Sequence, residues 1–369
     1  MATIADVARL AGVSASTVSY VLTGTRPISE PTKKRIEQAM LDLGYTPNAV
    51  ARSLKMKRSK IIALLFPVHG GQLGLSSVEY IIGASDHAQR HGYHLLLWTS
   101  DANTLDKLSQ LARQRLIDGA LIMEVQMRDP RLRILLDAGL PFTMIGRTES
   151  PGNIDFADTD FDQCAGLAIE YLSGLGHRRV GFVNLAEATK SARGNALRLR
   201  DGLVRAARTH GTTLSSVLCD TSYSAGRRAF GRLIRDDPEL TAVIAFNEQA
   251  VPGVMAAAME HGWRIPQDFS VLSIDMPTQL AQMTNPPMTT IGPPAAVAGK
   301  AAVDVLIRRL QGQAVDRSQV LFKGALQRRG TVAVARAATT LPRWDEPTSD
   351  PTTFAQPGQM GNEPCASPV

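Results

Sequence analysis

The chain has 369 residues, 44% of them hydrophobic and 20% charged, enough to bury a large core in more than one unit, which excludes an intrinsically disordered protein. Its net charge of +6 sits at one end, where the first sixty residues hold ten Lys and Arg against four acids, so a polyanion is expected at the N-terminus and a neutral body behind it. Cys164, Cys219 and Cys365 show no paired spacing, the N-terminus has no signal-peptide core, and no stretch approaches the roughly twenty apolar residues that span a bilayer, so a soluble, cytoplasmic chain with no membrane partner is expected.

From Thr3, a capping residue, T-I-A-D-V-A-R-L-A-G-V-S places Ile4, Val7, Ala8 and Ala11 on one helical face. Gly12 permits a tight turn, Ser14 caps a second helix, and Val18, Val21 and Leu22 form its buried stripe. Two short helices joined by such a turn make a helix-turn-helix over 4–23. Its second helix enters a major groove N-terminal end first, with Ser14, Ala15, Ser16, Thr17, Ser19 and Tyr20 as candidate DNA contacts. Ser29, a further candidate contact, caps a third helix in which Ile36, Ala39, Met40 and Leu43 face inward, and Gly44 ends it. An ordinary three-helix bundle with a solvated basic face has the same local pattern; the position at the chain end and the charge favour DNA.

Beyond Lys60, short apolar runs alternate with amphipathic stretches: I-I-A-L-L-F at Ile61, a helix from Val78 to His91, H-L-L-L-W at His94, a helix from Leu105 to Leu116, and G-A-L-I-M at Gly119. A second series runs through Val180, Val217, Ala242 and Phe269. Strands alternating with helices imply mostly parallel, doubly wound sheets, and two series imply two lobes with a ligand beyond the strand C-termini. Asp275 and Asn247 lie at strand ends, where they either cap the following helix or pair with sugar hydroxyls, and Tyr223 offers a stacking surface. Residues 337–369, rich in Pro, Thr, Ser and Gly, read as a disordered tail.

Three segments resemble, in register, the LacI/GalR family of bacterial transcription regulators: T-I-A-D-V-A-R-L-A-G-V-S with T-V-S after it, I-S-E-P-T-K-K-R-I, and G-Y-T-P-N-A-V-A-R-S-L-K at 44–55. The resemblance implies an all-α DNA-binding domain over 2–56, with a hinge over 48–56 that becomes helical on the operator and enters the minor groove. Asn48, Ala51, Leu54 and Lys55 are the contacts it implies there, Leu54 as an apolar wedge at a central base step. Tyr20 stands where the family usually has Arg. The resemblance also implies an α/β two-lobed, periplasmic-binding-protein-like sensor core over 61–336, lobe one being 61–162 with 292–325 and lobe two 163–291 with 326–336. Within that core A-F-N-E-Q carries over Asn247, with Glu248 for the usual Asp. The family's ligand-binding Arg, three residues before a Gly, is replaced at that spacing by Leu199, with Arg198 and Arg200 as candidates on either side; Arg147 completes the ligand set.

The function so implied is a homodimeric repressor that reads a near-palindromic operator with a central CG step and responds to a small-molecule effector, a sugar, to control a carbohydrate-utilisation operon. A nucleobase or other non-sugar corepressor is the alternative, and pairing of dimers into tetramers is open. The loop H-G-G-Q-L-G with Asp101 suggests instead a nicotinamide-dependent enzyme, but its glycine spacing departs from the dinucleotide fingerprint. His87, His91 and His94 are read as a surface histidine face, since no acid or cysteine nearby in sequence completes a metal set. No enzymatic activity and no cofactor are expected. Replacing Leu54 with Ala is expected to weaken binding to the specific site while leaving most phosphate attraction to random DNA; equal loss on both, in a paired binding titration, contradicts the wedge.

Overall fold

The computed structural model describes residues 2–23, 26–46, 58–67, 74–99, 105–114, 116–313 and 316–336. The hinge over 48–56 with Asn48, Ala51, Leu54 and Lys55, as well as Asp101 and the 337–369 segment, lies outside the described residues.

Local capping sets the N-terminal helices. In α1 (Ile4–Ala11) a reciprocal box closes the first turn: Asp6 N–H donates to Thr3 Oγ1 at 3.3 Å and Thr3 N–H donates to the Asp6 carboxylate at 2.9 Å. Gly12 ends α1 at φ 65°, a left-handed conformation glycine adopts without strain. Ser14 Oγ then accepts from Thr17 N–H at 3.1 Å to start α2 (Ala15–Thr23). Ser29 stands at the N-cap of α3 (Glu30–Asp42), but its hydroxyl pairs with that of Thr32 at 2.9 Å and caps no backbone N–H. Val7, Ala8, Ala11, Val18, Ile36 and Ala39 make the small shared core.

Among the described residues, the rest of the chain builds two sheets, each of six strands. The first has the order β11-β5-β4-β3-β1-β2, all parallel: β1 (Ile61–Leu65), β2 (His94–Trp98), β3 (Gly119–Ile122), β4 (Phe142–Ile145), β5 (Phe156–Thr159) and β11 (Gln319–Phe322). Because side chains alternate along a strand, Ile62 and Leu64 of β1 face α4 (Leu75–Arg90), while Ala63 and Leu65 face α5 (Leu105–Arg113) and α6 (Pro130–Asp137).

The second sheet has the order β12-β10-β9-β8-β6-β7, comprising β6 (Arg179–Leu185), β7 (Thr213–Cys219), β8 (Ala242–Phe246), β9 (Ser270–Ile274), β10 (Thr289–Gly292) and β12 (Ala325–Gln327). Only β12 runs antiparallel to its neighbour. One face is covered by α7 (Phe161–Gly174) and, after the short α8 (Ala186–Lys190), by α9 (Gly194–Thr209); the other is covered by α10 (Tyr223–Asp236) and α11 (Val251–Glu260), with α12 (Thr278–Met283) beside them. The chain passes between the lobes after β5, between β10 and α13 (Ala295–Leu310), and between β11 and β12. Backbone bonds join the lobes as well: Gly194 N–H donates to Val125 O at 2.9 Å and Met127 N–H to Ala192 O at 2.8 Å.

Helices α4 and α13 meet backbone to backbone through two glycines. A Cβ at Gly83 would lie 2.3 Å from Ala296 O, and one at Gly299 would lie 2.3 Å from Tyr80 O. Gly299→Ala is therefore expected to destabilise the protein by about 1–3 kcal/mol or more, since neither backbone can yield cheaply. Gly166→Ala in α7, where a Cβ meets nothing within 4 Å, serves as the control and should leave the thermal midpoint unchanged or slightly raised.

Candidate functional site

The N-terminal end of α2 presents small, polar side chains. Ala15 and Ser16 are exposed, Ser19 and Tyr20 are half-buried further along, and the Ser14 hydroxyl is shared with Ser16 at 3.1 Å and Thr17 at 2.8 Å. The Arg26 guanidinium lies 5.2 Å over the Tyr20 ring, so a cation accompanies the aromatic that stands at this position. Exposed Lys33, Lys34 and Arg35 on α3 add positive charge to the same small domain.

A cavity of about 420 Å³ lies between the two lobes, lined by the C-terminal ends of strands from both. Lobe one supplies Tyr80, Glu124, Arg147 and Asp158; lobe two supplies Arg193, Asn247, Glu248 and Asp275. Both arginines are already engaged. Arg147 Nη1 donates to Asp158 Oδ2 at 2.8 Å, and Arg193 Nη1 lies 2.8 Å from Glu124 Oε2 across the lobe boundary. Glu248 also crosses: its carboxylate accepts from Ser76 N–H at 3.1 Å at the N-terminus of α4, where the helix favours negative charge.

Burial dominates the titration of the remaining acids. It pushes the Asp158 carboxyl up to about 6, with Arg147 and Arg198 opposing only in part. It raises Glu248 against the pull of its backbone bonds, and raises Asp275 well above the ordinary carboxylate range, with the nearby charges of Glu248 and Asp158 adding to the effect. Asp275 and Glu124 hold left-handed backbones, φ 60° and 52°, at the strand ends that turn into the cavity.

Of the residues singled out from sequence, Arg147, Asn247, Glu248 and Asp275 reach the cavity. The Asn247 amide, however, is occupied by the backbone: Nδ2 donates to Cys219 O and Asp220 O, both at 3.2 Å, and Oδ1 accepts from Ala250 N–H at 3.3 Å. Arg198 lies behind the lining and donates to Arg147 O at 3.0 Å and Thr148 O at 2.7 Å, holding in place the loop that carries Arg147. Arg200 is exposed and paired with its neighbour Asp201 at 2.8 Å, and Tyr223, 46% exposed, lies outside the lining. Leu199 is fully buried in the lobe-two core, which accounts for an apolar residue at that spacing. Glu124, Asp158 and Arg193 were not anticipated. For Arg193, the N-cap of α9, the neighbouring Gly194 leaves room for the Arg198 guanidinium.

Comparison with known proteins decides the identity. Residues 3–48 match the family described as bacterial regulatory proteins, lacI family, and residues 169–332 match the periplasmic binding protein-like domain. The HTH-type transcriptional repressor PurR of Vibrio atlanticus is 31% identical over 332 residues, 88% of this chain and 96% of that protein. The chain belongs to the lacI family. The ribose operon repressor of Haemophilus influenzae is likewise 31% identical, over 84% of this chain and 92% of that protein. Among solved structures, the lac repressor dimer bound to operator and the anti-inducer ONPF aligns with a TM-score of 0.77 at 24% identity, covering 90% of this chain and 99% of that one, which shows the shared fold. This lacI-family protein is thus a DNA-binding transcriptional repressor with a two-lobed α/β core, not an enzyme. Among the described residues no helix is long and apolar enough to cross a membrane.

The folded state favours the protonated form of Asp158, so its contribution to stability is full below the ordinary carboxylate range and is lost as pH rises through about 6. Relative to Asp158→Asn, the natural protein is expected to lose up to about 3 kcal/mol of unfolding free energy between roughly pH 4 and pH 7. Denaturant titrations of both proteins at the two pH values check this; parallel pH dependences contradict it.

Proposed function

We propose that this repressor binds a near-palindromic operator with a central CG step as a homodimer, and that an uncharged, hydroxyl-rich effector, a sugar, occupies the interlobe cavity and releases the DNA. The observation that carries the effector reading is the charge balance of the cavity. Glu124, Asp158 and Glu248 face two arginines, Arg147 and Arg193, each already paired with an acid, and Asp275 adds a carboxyl that burial biases toward its neutral form. Such a lining accepts hydrogen bonds from ligand hydroxyls and repels phosphate or carboxylate groups. Asp275, whose side chain is not tied to the backbone as that of Asn247 is, offers a ligand hydroxyl both a donor and an acceptor in its protonated form, and Arg147 orients the opposite side.

The dimer reading rests on β2, an edge strand that exposes Leu96 and Leu97, and on Ile82 of the adjoining α4, an apolar surface suited to an isologous contact with a second copy. Two-fold symmetry in the protein then requires two half-sites in the DNA. A nucleobase corepressor is the second reading, favoured by the likeness to the Vibrio atlanticus PurR and equally compatible with an uncharged ligand.

Selection of bound duplexes from a random pool, followed by thermal-shift panels of neutral sugars, sugar phosphates and purines, tests these assignments together. The expected results are an enriched palindrome with a central CG, a raised melting temperature with one class of neutral sugar, and none with its phosphate ester. A shift with purines alone moves the assignment to the second reading, whereas a shift with phosphorylated sugars alone overturns the charge argument.

A further inference from the structure

Outside the cavity, the close approach of α4 and α13 assembles a set of side chains that are distant in sequence. His87, His91 and Asp304 each offer one ligand atom, and these atoms lie within 4.8 Å of one another. The acid missing from the sequence neighbourhood of the histidines is thus supplied by the facing helix. The two histidines are one turn apart, His87 in the last turn of α4 and His91 at its C-cap, with ring centroids 4.5 Å apart. His91 Nδ1 is bonded to His87 O at 2.9 Å, which fixes its tautomer and leaves Nε2 available, the outer-shell arrangement of a metal-binding histidine. His87 Nε2 lies 3.3 Å from Asp304 Oδ1, while Arg308 holds Oδ2 of the same carboxylate at 2.8 Å, so one oxygen remains for a monodentate bond. Two ligands each about 2.0–2.1 Å from a tetrahedral Zn²⁺ are separated by about this distance.

A plain ion pair accounts less well for the cluster. His87 is buried, and its Nδ1 has no partner. Two imidazoles beside a carboxylate are a ligand set for borderline divalent metals, whereas Mg²⁺ and Ca²⁺ require more oxygens. We propose that His87, His91 and Asp304 form a site for a zinc-class divalent transition metal that ties α4 to α13 in lobe one. Lys300 and Arg308 on α13 face the same cluster, so nitrogen ligation, not net negative charge, provides the selectivity.

The test uses the full-length, untagged protein stripped with chelator, titrated with ZnCl₂ by calorimetry and followed by thermal unfolding, with Mg²⁺ as a second probe. One Zn²⁺ per chain and a raised melting temperature are expected, with no response to Mg²⁺. The exposed His91, replaced in His91→Ala, and Asp304, replaced in Asp304→Asn, should each weaken binding at least about tenfold without lowering the metal-free melting temperature appreciably. His94→Ala, at the exposed start of β2, should bind as the natural protein does. Absence of a Zn²⁺ response, a response unchanged in both ligand variants, or one abolished by His94→Ala overturns the proposal. The outcome is independent of what occupies the interlobe cavity.

Discussion

The placement of charge at the ends of parallel strands governs the core. Carboxylates buried there are costly unless each finds a partner, and most of the partners come from elsewhere in the fold. Arg193 of lobe two meets Glu124 of lobe one, Glu248 of lobe two meets the N-terminus of α4, and Arg198 reaches across to the carbonyls of Arg147 and Thr148. With the two backbone bonds between residues 125–127 and 192–194, these contacts hold the lobes closed over the cavity. A ligand that enters must add to this set or replace part of it. It biases closure only to the extent that its own contacts differ between the closed and open arrangements.

The N-terminal domain was largely legible because its determinants are local. Thr3 and Asp6 stand three residues apart, Gly12 needs only its own φ, and Ser14 reaches Thr17 within one turn, so spacing along the chain fixes both helix starts and the turn between them. Ser29 shows the limit even here: a nearby hydroxyl, that of Thr32, competes for the cap, and spacing does not say which partner wins. The apolar runs of β1, β3, β8 and β9 were legible for a similar reason, since strands buried on both faces read as continuous hydrophobic stretches. The three- and four-residue strands β5, β10, β11 and β12 carry too few residues to show any period.

The cavity was legible only in part. Asp275 announces itself because it directly follows a fully buried strand, but Glu124 and Arg193 become a pair only once the crossovers have set the lobes face to face. The arginine expected three residues before Gly202 is a core leucine here, and the lobe-crossing cation lies eight residues before that glycine's neighbour Asp201, at the start of the same helix. The separation of His87 from Asp304, 217 residues, is of the same kind: helix periodicity predicts the pair on α4 and is silent on what the facing helix brings.

One short strand of lobe one runs between the cavity and the point where the chain enters that lobe. Asp118 precedes β3 and takes hold of the chain where it leaves the N-terminal domain: its Oδ1 accepts from Ser59 N–H at 2.6 Å and from the Ser59 hydroxyl at 2.9 Å, and its Oδ2 from Lys60 N–H at 3.0 Å. At the other end of the same strand stands Glu124, paired with Arg193 of lobe two. A strand of this length spans on the order of 20 Å between those residues and, held in the sheet by β1 and β4, does not stretch. A change in the Glu124–Arg193 contact that tilts lobe one against lobe two therefore displaces residue 59 as a rigid body, together with whatever the N-terminal segment has docked upon. In a dimer two such attachment points move at once, and the separation between them is the quantity that a pair of DNA half-sites reads.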